Sequence, residues 1–131
     1  MIADIADYIA TEIGVLLPDV RCYVGELPTT APAVAVQIAG GGTEEQAKDT
    51  RRLMRLSFSV LARFASQKEA LEALDSIQQH FCRRIGWQST DDYQITSVMA
   101  STLPNWIEQE KRGDYLYAMG IEVRYYERNN I

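Results

Sequence analysis

One histidine and two cysteines are all that this chain offers of the residues that most often hold metals or attack substrates. A structural zinc site takes four such ligands, and a nucleophilic triad needs its histidine beside a serine or cysteine. His80 and Cys82 stand two apart in one helical segment and point to different sides; Cys22 is far away in sequence. The acidic pairs Glu44-Glu45, with Asp49, and Asp91-Asp92 read as solvated loop charges. The run "GGGT" at 40–43 lacks the following G-K-[ST] of a phosphate loop, and no G-x-G-x-x-G occurs. No catalytic group, no metal and no cofactor is therefore expected, and the chain reads as a non-enzyme.

Other shortages narrow the class further. No apolar run approaches the roughly 18 residues of a membrane span, so no membrane partner is expected. The start, "MIADIADYIATEIG", carries acids instead of a basic leader and does not read as a signal peptide. Two cysteines without such a leader point to a reducing compartment, where they behave as small buried hydrophobes. Basic residues are outnumbered, 13 to 18, for a net charge of −5. That argues against strong grip on nucleic-acid backbones, which Lys and Arg drive by releasing counterions. "VRYYER" (Val123 to Arg128) interleaves aromatic and basic residues, and reads as a strand with Tyr packed and Arg outside.

What is present is an ordinary globular composition, 47% hydrophobic and 24% charged, over 131 residues, which sets one domain as the default. Ile2, Ile5, Ile9 and Ile13 share one face of an N-terminal helix that Gly14 or Leu17-Pro18 ends. "VRCYV" and "AVAVQIA" read as strands, the second apolar on both sides and so central or covered twice. "GGGTEEQAKDT" reads as a polar loop, and "RRLMRLSFSVLAR" as a long strand turning Leu56, Phe58 and Val60 one way. In "SQKEALEALDSIQQHFCRRIG", Ser66 and Glu69 form a capping box. Leu71, Leu74, Ile77, Phe81 and Ile85 make the apolar stripe, and Gly86 the stop. "YQITSVMAS" is a strand whose inward face stays open between Ile95/Met99 and Val98/Ala100. "LPNWIEQEKRG" reads as irregular. The last strand then places Tyr115, Tyr117, Met119, Ile121, Val123 and Tyr125 at every second position.

The predicted order is α-β-β-β-α-β-β: an α+β two-layer sandwich, with two helices on one face of a mainly antiparallel sheet of four to five strands. Two strands of about twelve residues would each span ~40 Å, against a domain diameter of roughly 36 Å. A strand that long crosses the whole domain or projects beyond it, unless a bulge at Gly120 folds it back. A projecting hairpin with its tip near residues 40–50, together with open sheet edges, points to a homo-oligomer.

The "IADIADYIATEIG" helix, the hairpin with a long polar loop, the "SQKEALEALDSIQQHF" helix and the closing "LPNWIEQEKRGDYLYAMGIEVRYYE" carry a family resemblance over nearly the whole chain. In element order and length it resembles the small tail-terminator (tail-completion) and minor capsid proteins of long-tailed bacteriophages and prophages. The resemblance implies a virion component made in the bacterial cytoplasm. It would form a ring, a hexamer, capping the head-proximal end of the tail tube. Its implied partners are further copies of itself, the tail tube protein and the head-completion protein, with DNA passing through the channel without specific binding. On that reading Gly41, Gly42, Thr43, Glu44, Glu45 and Lys48 are the first interface candidates, with Pro104 and Trp106 second; Trp106 either anchors a partner or caps the monomer's own core. Trp87 reads as a core lid. A head-completion adaptor or minor capsid component is the nearest alternative. A small α+β enzyme or ligand-binding protein, using a pocket near His80, Tyr93 and the Tyr-rich strand, is the other.

Overall fold

The computed structural model describes residues 2–46, 52–83, 87, 89, 90, 92–110 and 113–127, without the side chains of 43–46 and 83. Helix α1 spans Ile2–Leu16, runs through Gly14 and stops short of Pro18. Ile5, Ile9 and Ile13 are fully buried, as their spacing predicts, whereas Ile2 at the free end is half exposed. Helix α2 spans Gln67–Arg83, and the Ser66 hydroxyl accepts from the Glu69 amide at 3.2 Å, the expected cap. Its buried stripe is Ala70, Ala73, Leu74, Ile77 and Phe81; Leu71 turns partly to solvent. Ile85 and Gly86 lie outside the described residues. Trp87 packs on Phe81 with ring centroids 5.9 Å apart, a lid on the core as expected.

Six strands form one sheet: β1 (Cys22–Val24), β2 (Ala33–Gln46), β3 (Arg52–Phe64), β4 (Tyr93–Ala100), β5 (Asn105–Gln109) and β6 (Tyr115–Glu127). The order is β1-β2-β3-β6-β4, with β5 beside β6 on the same edge as β4. β1 runs parallel to β2 and every other pairing is antiparallel, so the sheet is mixed. The α+β class stands, with corrections: the strands number six, and the order gains a strand at Asn105–Gln109, the segment that read as irregular. "NWIEQ" has no period-two signal because every one of its side chains is exposed. Backbone pairing to β6 makes it a strand.

Both helices lie on one face. Their buried residues join Val34, Val36, Leu56, Phe58, Val60, Ala62, Tyr117, Met119, Ile121, Val123 and Tyr125 in a single core. On the opposite face Ala33 and Ala35 are also buried, as a strand apolar on both sides requires. There Arg63 donates from Nε to Glu110 Oε1 (2.5 Å) and from a terminal nitrogen to the Pro28 carbonyl. It thus ties the connections after β1 and β5 to the back of the sheet.

The largest correction concerns the glycines. Gly40, Gly41 and Gly42, with Thr43 and Glu45, are ladder residues of β2 and not a loop. Pairing continues to Gln46↔Arg52, across bulges between Ile38 and Gly40 and between Thr43 and Glu45. Glycine is required at two of these positions for backbone reasons. Gly40 sits at φ +146° in the first bulge, and a Cβ on Gly41 would come within 2.4 Å of the Arg55 carbonyl oxygen. The turn itself and Lys48 lie outside the described residues. The described end of this hairpin is level with the far end of the sheet, since Arg52 pairs with Glu127 and Glu127 with Tyr93.

β3 and β6 pair over their full lengths without a register shift, so no bulge at Gly120 folds β6 back. Gly120 has another role. Its carbonyl accepts from Ser101 N (2.8 Å) and its amide donates to Thr102 Oγ1 (2.7 Å), bridging the break between β4 and β5. A Cβ there would lie 2.5 Å from Ser101 Oγ. In β4 a bulge between Ile95 and Ser97 switches the phase. Tyr93 and Ile95 face inward before it and Val98 after it, which is why neither alternation in the sequence fitted the whole strand.

Candidate functional site

The structure places the two sets of sequence-picked residues on opposite edges of the sheet. β1 covers β2 only at Val34–Val36. From Gln37 on, no described strand pairs with the outer edge of β2, which leaves Ile38, Gly40, Gly41 and Gly42 exposed. At the other side β5 is bonded to β6 alone, and its outer edge is open. Trp106 is 56% exposed, so it does not cap the monomer's core. Pro104 is half-buried at the entry to the strand. Strands β3 and β6 separate the two edges, about three inter-strand spacings or ~14 Å. The candidates on β2 and those on β5 therefore do not meet within one subunit.

Each edge also carries exposed apolar side chains that sequence reasoning passed over. Ile38 on β2 is 51% exposed; Leu103 and Ile107, flanking Trp106, are 69% and 44% exposed. The signal was available in part: "QIAGGG" contains no charge and no proline, the residues by which proteins guard an open edge. The faces can be assigned from register. Ile38 pairs with Phe58 and Trp106 with Tyr117, and both partners belong to the helix-facing core. Ile38 and Trp106 thus project on the same, helical side of the sheet, beyond the area the helices cover.

A concavity of about 410 Å³ lies between α1 and the start of β4, lined by Asp4, Asp7, Tyr8, Thr11, Thr90, Asp92 and Tyr93. It includes Tyr93 of the pocket reading but not His80, whose Nε2 lies 3.1 Å from Glu12 Oε2 and links α2 to α1. Burial, then the carboxylate of Asp4, raises the Tyr93 phenol above its ordinary range. Among the described residues no group of three His, Cys, Asp or Glu converges to hold a metal. No described helix is long and apolar enough to cross a membrane.

The thiols differ from each other. Cys82 is exposed, contrary to the expectation of a small buried hydrophobe, because position 82 falls outside the α2 stripe. Cys22 packs against the core, and burial pushes its thiol from the ordinary 9.0 up to about 11. At pH 8 a thiol reagent should modify Cys82 quickly and Cys22 slowly, with both reacting alike in denaturant; equal rates in the folded protein would contradict the packing of β1. The linkage sign follows. Between pH 9 and about 11 the unfolded chain has released the Cys22 proton and the folded chain has not. Stability is therefore full below pH 9 and falls as pH rises through that window. Tyr93 and Tyr125, also raised, extend the loss further. Urea midpoints measured from pH 8 to 11 should decline. A flat profile would count against this burial.

No protein-family model and no curated protein matches the chain.

Proposed function

We propose that this chain is a structural assembly protein of a long-tailed phage or prophage. It forms a ring, a hexamer, that caps the head-proximal end of the tail tube and joins it to the head-completion proteins. The observation that carries this reading is the pair of open sheet edges on opposite sides of one subunit, each with exposed apolar side chains. Contacts made between two different patches are head-to-tail, and head-to-tail contacts close into rings when the rotation allows. The tail-terminator identity comes from the resemblance in element order. The net charge of −5 suits a channel that DNA traverses without sticking.

Native mass spectrometry of the purified protein, alone and with tail tubes, tests the reading. Six copies are expected. Twelve would favour a head-completion adaptor. A strict monomer carrying a small molecule would overturn the reading and favour a ligand-binding protein, with the cleft between α1 and β4 as its site.

A further inference from the structure

We propose that the cleft between α1 and the start of β4 is a binding site for a small organic cation, one that carries a protonated amine or a guanidinium. The proposal does not rest on the ring reading, since every lining residue belongs to one chain.

Two short stretches of sequence build the cleft. Asp4, Asp7, Tyr8 and Thr11 fall at i, i+3, i+4 and i+7, so they share one face of α1. Thr90, Asp92 and Tyr93, from the turn that enters β4, form the other wall. The Thr90 hydroxyl fixes that turn by accepting from the amides of Asp92 (3.2 Å) and Tyr93 (3.3 Å). The lining thus holds three carboxylates and no Lys, Arg or His. Asp4 lies in the first turn of α1, where it complements the helix dipole. Asp7 and Asp92 lack that role, and among the described residues nothing forms a hydrogen bond or ion pair with their carboxylates. An acidic rim alone would be ordinary solvated surface, but the floor is not ordinary. Tyr93 is 1% exposed, and its hydroxyl has no hydrogen-bond partner among the described residues. Burial raises this phenol first, then Asp4, Tyr8 and Asp92, so its oxygen is directed at the cleft that these three line. A buried hydroxyl left unpaired is costly and calls for a partner. Carboxylates only accept hydrogen bonds, and the phenol oxygen has lone pairs to offer. The complement of such a lining is a cation rich in N–H donors. A bare metal ion fits less well: among the described residues no three carboxylates converge to hold one. A volume of about 410 Å³ also lies in the range of small-molecule clefts.

The test uses the full chain and agmatine, which carries a guanidinium at one end and an ammonium at the other. Calorimetry should show saturable binding of one agmatine per chain, and no binding of glutarate, an anion of similar size. Asp7→Asn combined with Asp92→Asn should weaken agmatine about tenfold or more; both side chains are exposed, so the fold does not depend on them. Tyr93→Phe keeps the ring and the net charge and removes only the hydroxyl. Without agmatine it should melt no lower than the wild type, because the oxygen has no partner to lose. Its affinity should fall about fivefold, and agmatine should raise its melting temperature less than that of the wild type. Binding that does not saturate, or that is equally tight in the Asp7→Asn, Asp92→Asn variant, overturns the proposal. So does a Tyr93→Phe protein that melts lower without ligand and binds agmatine as the wild type does, since its hydroxyl then serves the fold alone. Calcium chloride that binds more tightly than agmatine overturns it in favour of a metal site. Native mass spectrometry of the same samples keeps the readings apart: a strict monomer that binds agmatine sinks the ring alone, and a ring that ignores agmatine sinks this proposal alone.

Discussion

Phe58→Ala is expected to cost about 3–5 kcal/mol of folding stability, the usual range for emptying a fully buried phenylalanine site. Phe58 is 1% exposed on β3, between Ile38 of β2 and Ile121 of β6, beneath the helices. Its neighbours are held by ladders on both sides, so the sheet cannot close in to refill the space. For a chain of this length the melting temperature should fall by roughly 10–20 °C. Ser57→Ala, one residue away on the opposite face, should stay within about 0.5 kcal/mol. Thermal melts of both variants check this pair. If Phe58→Ala melts within a few degrees of wild type, the helix-facing core is wrongly placed.

Glu110→Ala should be nearly as damaging, roughly 3 kcal/mol, for a different reason. The Arg63 side chain is only 11% exposed, and Glu110 at 2.5 Å is its sole described ionic partner. Removing the carboxylate leaves a largely desolvated guanidinium uncompensated. Replacing both groups, as in Arg63→Met with Glu110→Leu, removes the charge along with its partner. That double variant should be more stable than Glu110→Ala by about 1–2 kcal/mol, although Pro28 loses its donor. Urea titration of Glu110→Ala and of the double variant decides. A double variant less stable than Glu110→Ala would mean that the pair contributes more than its desolvation costs.

Elements that bury one face were legible in the sequence. The α1 isoleucines, the Ser66–Glu69 cap and the alternation of Tyr117 through Tyr125 each recur at the period of the structure they form. What was not legible depends on partners remote in sequence. Gly40–Gly42 carry no side chains to alternate, and they are strand because β3, through Ser57, Leu56 and Arg55, supplies the ladder. β5 is strand because β6 offers it an edge. The β4 bulge resets the inward phase in mid-strand, so a single period could not describe it. The candidate interface was half legible. The glycine run and Trp106 were picked out, but Ile38 lay in a strand expected to be covered on both faces and Ile107 was passed over, because exposure at a sheet edge depends on where the helices end.

The unbroken pairing of β3 with β6 also fixes when this protein can fold. Arg52 meets Glu127 and Phe64 meets Tyr115, so the middle of the sheet joins segments separated by about half the chain. Contacts that distant form slowly, because a long loop must be closed before any pairing rewards it. While β6 is still inside the ribosome, β3 has an open inner edge and α2 lacks the β6 part of the surface it covers. Folding in this sense waits for β6. Copies translated side by side from one message would expose unpaired β3 edges to one another before their own β6 strands arrive.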